Sequence, residues 1–314
     1  MLKKYEAPFY DDIARAPKGG LTAFRTTKDG VSVRVGLWKT RKKVVKGTVL
    51  VFQGRTEFLE KFGPAYKEFN DMGYHAAAVD WRGQGLSDRL HSNPRLGHID
   101  SFESYQRDVD ALMEFLEEQG ITDNFYLLAH SMGGAIGMTA LSNGLKVEKA
   151  VFSAPMWGIA VEGWKRKALK LYVDISGGFL FGLAKIPTMP HRNASITEPF
   201  EGNNLTNDPE EYAFRKKQLV DHPDLELAGP TISWVVAAFN AASKIRKIRN
   251  IKTPMICVLG ENESIVDKKI IKKMPNVWDT LKLTVYPEAQ HELLIELPEV
   301  QKAIWTEIRD FFKA

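Results

Sequence analysis

The sequence predicts an α/β fold, a mostly parallel sheet with helices on both faces, interrupted by an inserted, largely helical lid. Three observations predict it. Short apolar runs alternate with longer helical patterns through the first half of the chain. At about Met156 this pattern gives way to aromatics mixed with Gly, Pro and Asn, and strand-like runs resume only after about residue 240. The expected layout is a core of residues 1–155 and 240–314 with a lid at 156–239, longer than a plain connection.

The elements follow in order. "GTVLVFQG" (Gly47 to Gly54), "GYHAAAVDWRGQG" (Gly73 to Gly85) and "FYLLAHSMGG" (Phe125 to Gly134) each carry an apolar run into a polar, glycine-bearing turn. Before the third run, Val109, Leu112, Met113 and Leu116 fall at helical spacing, and Gly120 stands where a left-handed stop is expected. "KAVFSAP" is a strand ending at Pro155. Within the lid, helices are expected at Trp164 to Val173 and Tyr212 to Leu219. "TPMICVLG" and "LKLTVYP" then read as buried strands. "LPEVQKAIWTEIRDFFKA" reads as a final amphipathic helix, with Pro298 near its start and Ile304, Ile308 and Phe311 on one face.

Composition excludes several classes. The chain has 314 residues, 44% of them hydrophobic, enough for a substantial core. Its single cysteine, Cys257, lies in an apolar run, which rules out a disulfide framework and points to a reducing compartment. "MLKKYEAPFYDDIARAP" turns to charge before an apolar signal region forms, and no window approaches the roughly 20 apolar residues that span a bilayer. A cytoplasmic protein is expected, with a peripheral contact at the inner membrane left open. The net charge of +4 comes with basic runs at Arg41 to Lys43, Lys165 to Lys167 and Lys268 to Lys273. No helix-turn-helix or aromatic RNA-binding pattern accompanies them, so solvated faces rather than nucleic-acid contacts are expected.

Ser131 stands at the centre of Ala129-His130-Ser131-Met132-Gly133, a strand-to-helix turn of the G-x-S-x-G kind. Residues two before and two after the serine must approach closely, so small side chains are needed there. The structural alternative is a small-residue cluster that only lets a helix pack near a strand. A serine hydroxyl is a weak nucleophile unless a histidine takes its proton and an acid orients that histidine. His291, in "YPEAQHELLIELP", lies between the last strand and last helix and is the best placed of seven histidines. His75 is in a strand, His98 precedes a helix, and His191 and His222 fall in the lid. His130 is expected to point to the opposite side of the turn and to serve structure. For the acid, "VLGENESIVDKK" offers Glu263, with Asp267 in reserve because it also suits a helix N-cap. An oxyanion hole would use the backbone amides of Met132 and Arg55, with Gly54 allowing the close turn. The Arg55 side chain either reaches substrate or pairs with Glu57 or Glu60.

Together "FQGRTEF", "DWRGQGLSDR", "AHSMGGAIG", "LGENESIVD" and "QHELLIE" resemble blocks of the monoglyceride lipase and bacterial lysophospholipase branch of the α/β-hydrolases, in the right order from Val49 to Glu296. Gln53-Gly54-Arg55, Glu263 and the segments "FEGNNLTNDPEEY" and "GPTISWV" are similar to bacterial lysophospholipases related to the inner-membrane-associated enzyme. The resemblance implies an α/β-hydrolase fold with Ser131 as nucleophile, His291 as base, Glu263 as orienting acid and the amides of Arg55 and Met132 as oxyanion donors. It gives Asp80, Arg82 and Asp88 a structural turn and no chemistry.

The expected function is a serine hydrolase cleaving the carboxylic ester of a single-chain lipid, a lysophospholipase first, with a monoacylglycerol lipase or general carboxylesterase as alternatives. A non-catalytic binding protein on the same fold is the reading from another class. No cofactor and no metal are implied, since there is no H-E-x-x-H and no cysteine cluster. Gly54, Trp157 and Phe179 are the expected substrate contacts. Trp164, Leu169, Tyr172, Leu180 and Phe181 beside Lys165, Arg166, Lys167 and Lys170 would suit transient docking on an anionic membrane, or simply form the lid's own core.

Overall fold

The structure is a computed structural model that describes residues 6–122, 124–160, 183 and 192–314. Its centre is one eight-stranded sheet: β1 (Leu21–Thr26), β2 (Ser32–Trp38), β3 (Thr48–Phe52), β4 (His75–Val79), β5 (Phe125–His130), β6 (Ala150–Ser153), β7 (Met255–Gly260) and β8 (Leu281–Tyr286). The strand order is β1-β2-β4-β3-β5-β6-β7-β8. From β4 to β8 every pairing is parallel, whereas β1–β2 and β2–β4 are antiparallel. Every residue of β3, β6 and β7 is buried, which is why their sequences read as continuous apolar runs.

The β1–β2 hairpin is absent from the sequence expectations. It is closed at Asp29-Gly30, where Gly30 takes φ 88°, a conformation glycine adopts without strain. The strand runs expected for β3 to β8 lie where the apolar segments placed them. So do the helix Tyr105–Glu118, which buries Val109, Leu112 and Leu116, and the final helix Pro298–Lys313.

Because β3, β5, β6, β7 and β8 are parallel neighbours, their carboxyl ends share one edge of the sheet. Loops leaving four of them carry Arg55, Ser131, Glu263 and His291, and α/β sheets hold their ligands at this edge. The chain between β6 and β7 forms the insertion. Its described helices are Ala194–Thr197, Pro209–Asp221 and Ile232–Ile245. Asp208 caps the second, accepting from the amides of Glu210 (2.8 Å) and Glu211 (3.0 Å). The lid boundary expected at residue 239 falls inside Ile232–Ile245, which packs on the helix Met132–Ser142. The helix expected at Trp164 to Val173 lies outside the described residues.

The turn after β4 is held by ions. Asp80 accepts from Arg34 Nε and from the amides of Leu59 and Leu86, each at 2.8 Å, and Arg34 also grips Glu60 at 2.8 and 2.7 Å. Arg82 bonds Asp108 at 2.8 Å and Asp29 at 2.6 Å, and Asp88 accepts from the amide of Ser32 at 2.7 Å. These three residues therefore fasten loops to the sheet. Among the described residues, no helix is long and apolar enough to cross a membrane.

Candidate active site

β5 ends at His130, and the chain reverses at Ser131 with φ 50° and ψ −116°, a backbone region that costs a non-glycine residue energy. The surroundings enforce it. The Ser131 amide donates to the Ser153 carbonyl (3.0 Å), and its own carbonyl accepts from Gly134 (2.9 Å) and Met156 (2.8 Å). Small residues make room for the turn: a Cβ on Gly133 would lie 2.0 Å from the Phe52 carbonyl oxygen, and one on Gly54 would lie 3.1 Å from the Ser131 Cβ. The helix Met132–Ser142 begins at once, aiming its amides and positive end at the same point.

The hydroxyl meets His291. Ser131 Oγ lies 3.0 Å from His291 Nε2, and His291 Nδ1 lies 2.6 Å from Glu263 Oε2. The other oxygen of Glu263 accepts from the amides of Ile265 (2.5 Å) and Val266 (3.0 Å). A carboxylate only accepts, so Nδ1 carries the imidazole proton and Nε2 is left to accept from the serine hydroxyl. Burial works to lower the pKa of His291, but the charge and hydrogen bond of Glu263, followed by Glu292 and Glu57, outweigh it and hold the imidazole above its ordinary value. Burial likewise works to raise Glu263, and His291 with the two amides holds it below the usual carboxylate range. Asp267 stays away from His291. It caps the short helix Lys268–Ile271, accepting from the amides of Lys269 (3.0 Å) and Ile270 (3.2 Å).

The remaining described histidines have other partners. His75 Nδ1 accepts from the Thr40 amide at 3.0 Å, and His98 lies 3.0 Å from the Thr231 hydroxyl. His222 stacks on the Tyr10 ring, with centroids 3.8 Å apart. His191 is outside the described residues. His130 corrects an expectation: its Nδ1 does lie 3.1 Å from the Ser153 carbonyl, but its ring sits beside His291, with centroids 4.9 Å apart. The tight reversal at Ser131 brings the side chain ending β5 toward the histidine loop rather than away from it.

Behind His291 lies a buried ion network that sequence reasoning missed. Lys61 bonds both Glu57 and Glu292, the latter at 2.7 Å. Arg215, from the inserted helix Pro209–Asp221, reaches the other oxygen of Glu292 at 2.5 Å. His130 Nε2 is 3.4 Å from Glu292, and Glu57 also accepts from the amide of Gly54. Only the Glu57/Lys61 spacing of four gave a local signal; the other members come from distant parts of the chain. Ligand atoms of Glu57, His130 and Glu292 lie within 4.8 Å of one another, as a metal would require. The Lys61 ammonium, bonded to both carboxylates, already occupies the place of a cation there.

A cavity of about 420 Å³ opens over these groups, lined by Gly54, Arg55, Ser131, Met132 and His291 together with residues of the insertion. Ser131 is 9% exposed and is reached through it. Among the described residues the backbone amides of Arg55 and Met132 have no hydrogen-bond partner. One expected substrate contact falls elsewhere. Trp157 is fully buried, donating to the Gly134 carbonyl (3.2 Å) and packing between Phe152 and Trp278, because the chain leaving β6 turns it into the core. Phe179 lies outside the described residues, as do Trp164, Leu169, Tyr172, Leu180, Phe181 and the basic residues Lys165, Arg166, Lys167 and Lys170.

A serine on a strained strand-to-helix turn, bonded to a histidine after the last strand, on a sheet of this order, defines an α/β-hydrolase. The chain belongs to the Hydrolase_4 family, described as serine aminopeptidase, S33, whose model matches residues 43–298. It is 29% identical over 276 residues to a probable lysophospholipase L2 of Haemophilus influenzae, covering 86% of this chain and 85% of that one. It is 28% identical over 275 residues to lysophospholipase L2 of Escherichia coli K12, covering 84% and 79%. Among solved structures it superposes on a soluble variant of monoglyceride lipase from Saccharomyces cerevisiae with TM-score 0.72 at 19% identity, covering 98% of each chain. A thermostable carboxyl esterase from Bacillus coagulans gives TM-score 0.74 at 16% identity, covering 95% of this chain and 99% of that one. The protein is thus an ester-hydrolysing enzyme of the lysophospholipase and monoglyceride lipase branch.

Proposed function

We propose that this enzyme is a lysophospholipase that cleaves its substrate through a Ser131-His291-Glu263 triad and an acyl-enzyme. The observation that carries the proposal is the continuous hydrogen-bonded line from Ser131 Oγ (3.0 Å) through His291 to Glu263 (2.6 Å). Ser131 Oγ attacks the ester carbonyl carbon while its proton passes to His291 Nε2. Negative charge forms on the carbonyl oxygen, facing the amides of Arg55 and Met132. The tetrahedral adduct collapses, the C–O bond to glycerol breaks, and His291 returns its proton to the departing oxygen. Water then enters by the same route, His291 takes its proton, and fatty acid leaves Ser131. Glu263 fixes the tautomer and steadies the imidazolium.

The lipid substrate rests on the lysophospholipase relatives and on the cavity above Ser131. In this proposal residues 156–239 act as the lid, whose basic and aromatic stretch meets an anionic inner-membrane surface that presents the substrate. The test is fatty-acid release from lysophospholipids, monoacylglycerols and short p-nitrophenyl esters. Turnover of the lysophospholipids is expected, with monoacylglycerol cleavage as the runner-up. Turnover of the short soluble esters alone would overturn the lipid assignment.

A further inference from the structure

Among the described residues the half-buried Arg55 guanidinium has no carboxylate partner, unlike three buried arginines. Arg34 is held by Glu60 and Asp80, Arg82 by Asp29 and Asp108, and Arg215 by Glu292. Neither carboxylate expected for Arg55 is available, because Glu57 is taken by Lys61 and Glu60 by Arg34. Among the described residues the Arg55 side chain makes one hydrogen bond, from Nη2 to the Ala228 carbonyl at 2.5 Å. Its Nε is buried without a partner, although a guanidinium offers five N–H donors. Burial pushes its pKa down to about 10, with only a small opposing effect from Tyr105.

This cation is built into the wall of the Ser131 cavity. The guanidinium carbon rides 5.1 Å over the Trp234 ring, and Trp234 and Ala228 line the same cavity. Ala228 is fixed in turn, its amide donating to the Arg95 carbonyl at 2.7 Å. Gly97 bridges Pro230 beside it, and a Cβ there would lie 2.6 Å from Arg55 Nη2, so a larger residue would push the end of the guanidinium from this position. Of the carboxylates lining the cavity, Glu57 and Glu292 are already matched by Lys61 and Arg215, and Glu198 is exposed to solvent. A positive charge with free donors therefore faces a cavity that holds the nucleophile.

We propose that the Arg55 side chain receives the anionic phosphodiester of the substrate head group, making it the residue that selects lysophospholipids over neutral monoacylglycerols. The inference rests on the lysophospholipase proposal and deepens it. A guanidinium presents parallel N–H groups that match phosphate oxygens. A phosphodiester seated here would supply the missing counter-charge, whereas a free glycerol would leave the cation uncompensated.

The test compares kcat/KM for a lysophospholipid and a monoacylglycerol of the same acyl chain, in wild type and in Arg55→Gln and Arg55→Lys. The ratio is the readout, because damage to the nearby oxyanion amide would fall on both substrates alike. In Arg55→Gln the preference for the lysophospholipid should fall about 10- to 100-fold, mainly through KM, with part retained in Arg55→Lys. An unchanged ratio overturns the inference. A wild type that cleaves no lysophospholipid overturns the proposed function as well, so the two failures are distinguishable. A second measurement holds even if Arg55→Gln does not fold: inhibition of wild-type p-nitrophenyl ester hydrolysis by glycerol 3-phosphate, glycerol or inorganic phosphate. Inhibition by glycerol 3-phosphate and not by glycerol supports the inference. Equal inhibition by glycerol and glycerol 3-phosphate, or inhibition by inorganic phosphate alone, overturns it.

Discussion

Two buried ion networks start three residues apart in the chain and do different things. Glu60 turns inward to Arg34 and Asp80, all three inaccessible to solvent, and every oxygen in that cluster is met by a guanidinium or a backbone amide. Glu57 turns the other way, with Lys61, to Glu292, Arg215 and His130, and this second network touches the oxyanion loop at Gly54 and borders His291. The first network ties β2 to the turn after β4 and also holds Pro8, Tyr10 and the Gln53 side chain, with no bond to the triad. The second ties an inserted helix to the histidine loop and adds negative charge beside the base. Burial of charge is thus no guide to function by itself; what each network borders decides its role.

The contrast can be broken by substitution, and the largest effect should come from the acid that touches His291. Glu263→Gln keeps the shape but favours the wrong imidazole tautomer, and kcat should drop roughly 10⁴-fold, measured by steady-state ester hydrolysis. Arg34→Met leaves two buried carboxylates without their cation and should cost about 3–5 kcal/mol in urea unfolding, with kcat of the folded fraction retained. A comparable loss of kcat in Arg34→Met would erase the distinction between the networks.

Glu292→Gln should act on the pH profile. The reacting form needs a neutral His291, so activity rises as pH climbs through its folded pKa, which lies above the ordinary value. Burial lowers that pKa, while Glu263, Glu292 and Glu57 raise it. Removing the Glu292 charge, and leaving Lys61 and Arg215 less compensated, should lower it and move the acid limb of kcat/KM to lower pH. An acid limb that moves upward would contradict the assigned role of this network. The smallest effect belongs to Asp267→Ala, which removes an N-cap and should cost about 1 kcal/mol in unfolding with kcat unchanged.

Local patterns made most of the fold legible. Strands β3 to β7 announce themselves as apolar runs because they are almost wholly buried, and Ser131 and Glu263 each follow such a run; β8, expected as a buried strand and followed by His291, is instead a half-buried edge strand. The β1–β2 hairpin was missed even though Asp29-Gly30 marks its turn, since β1 is only partly buried and its run is less apolar. Trp157 was misread because an aromatic just past β6 suits a cavity wall or a core equally, and only tertiary packing sends it between Phe152 and Trp278. The placement of His130 depends on the strained angle at Ser131, which alternation along a strand does not anticipate. The second ion network joins residues 57, 61, 130, 215 and 292, separations at which sequence spacing carries no geometric information.

The central claim is that His291, oriented by Glu263, makes the Ser131 hydroxyl nucleophilic. The most direct measurement is intact-mass and peptide analysis of fluorophosphonate labelling in wild type, Ser131→Ala and His291→Ala. One adduct per chain, mapped to Ser131, absent from Ser131→Ala and formed far more slowly in His291→Ala, is the predicted result. Label on another residue, or labelling of His291→Ala at the wild-type rate, would contradict it.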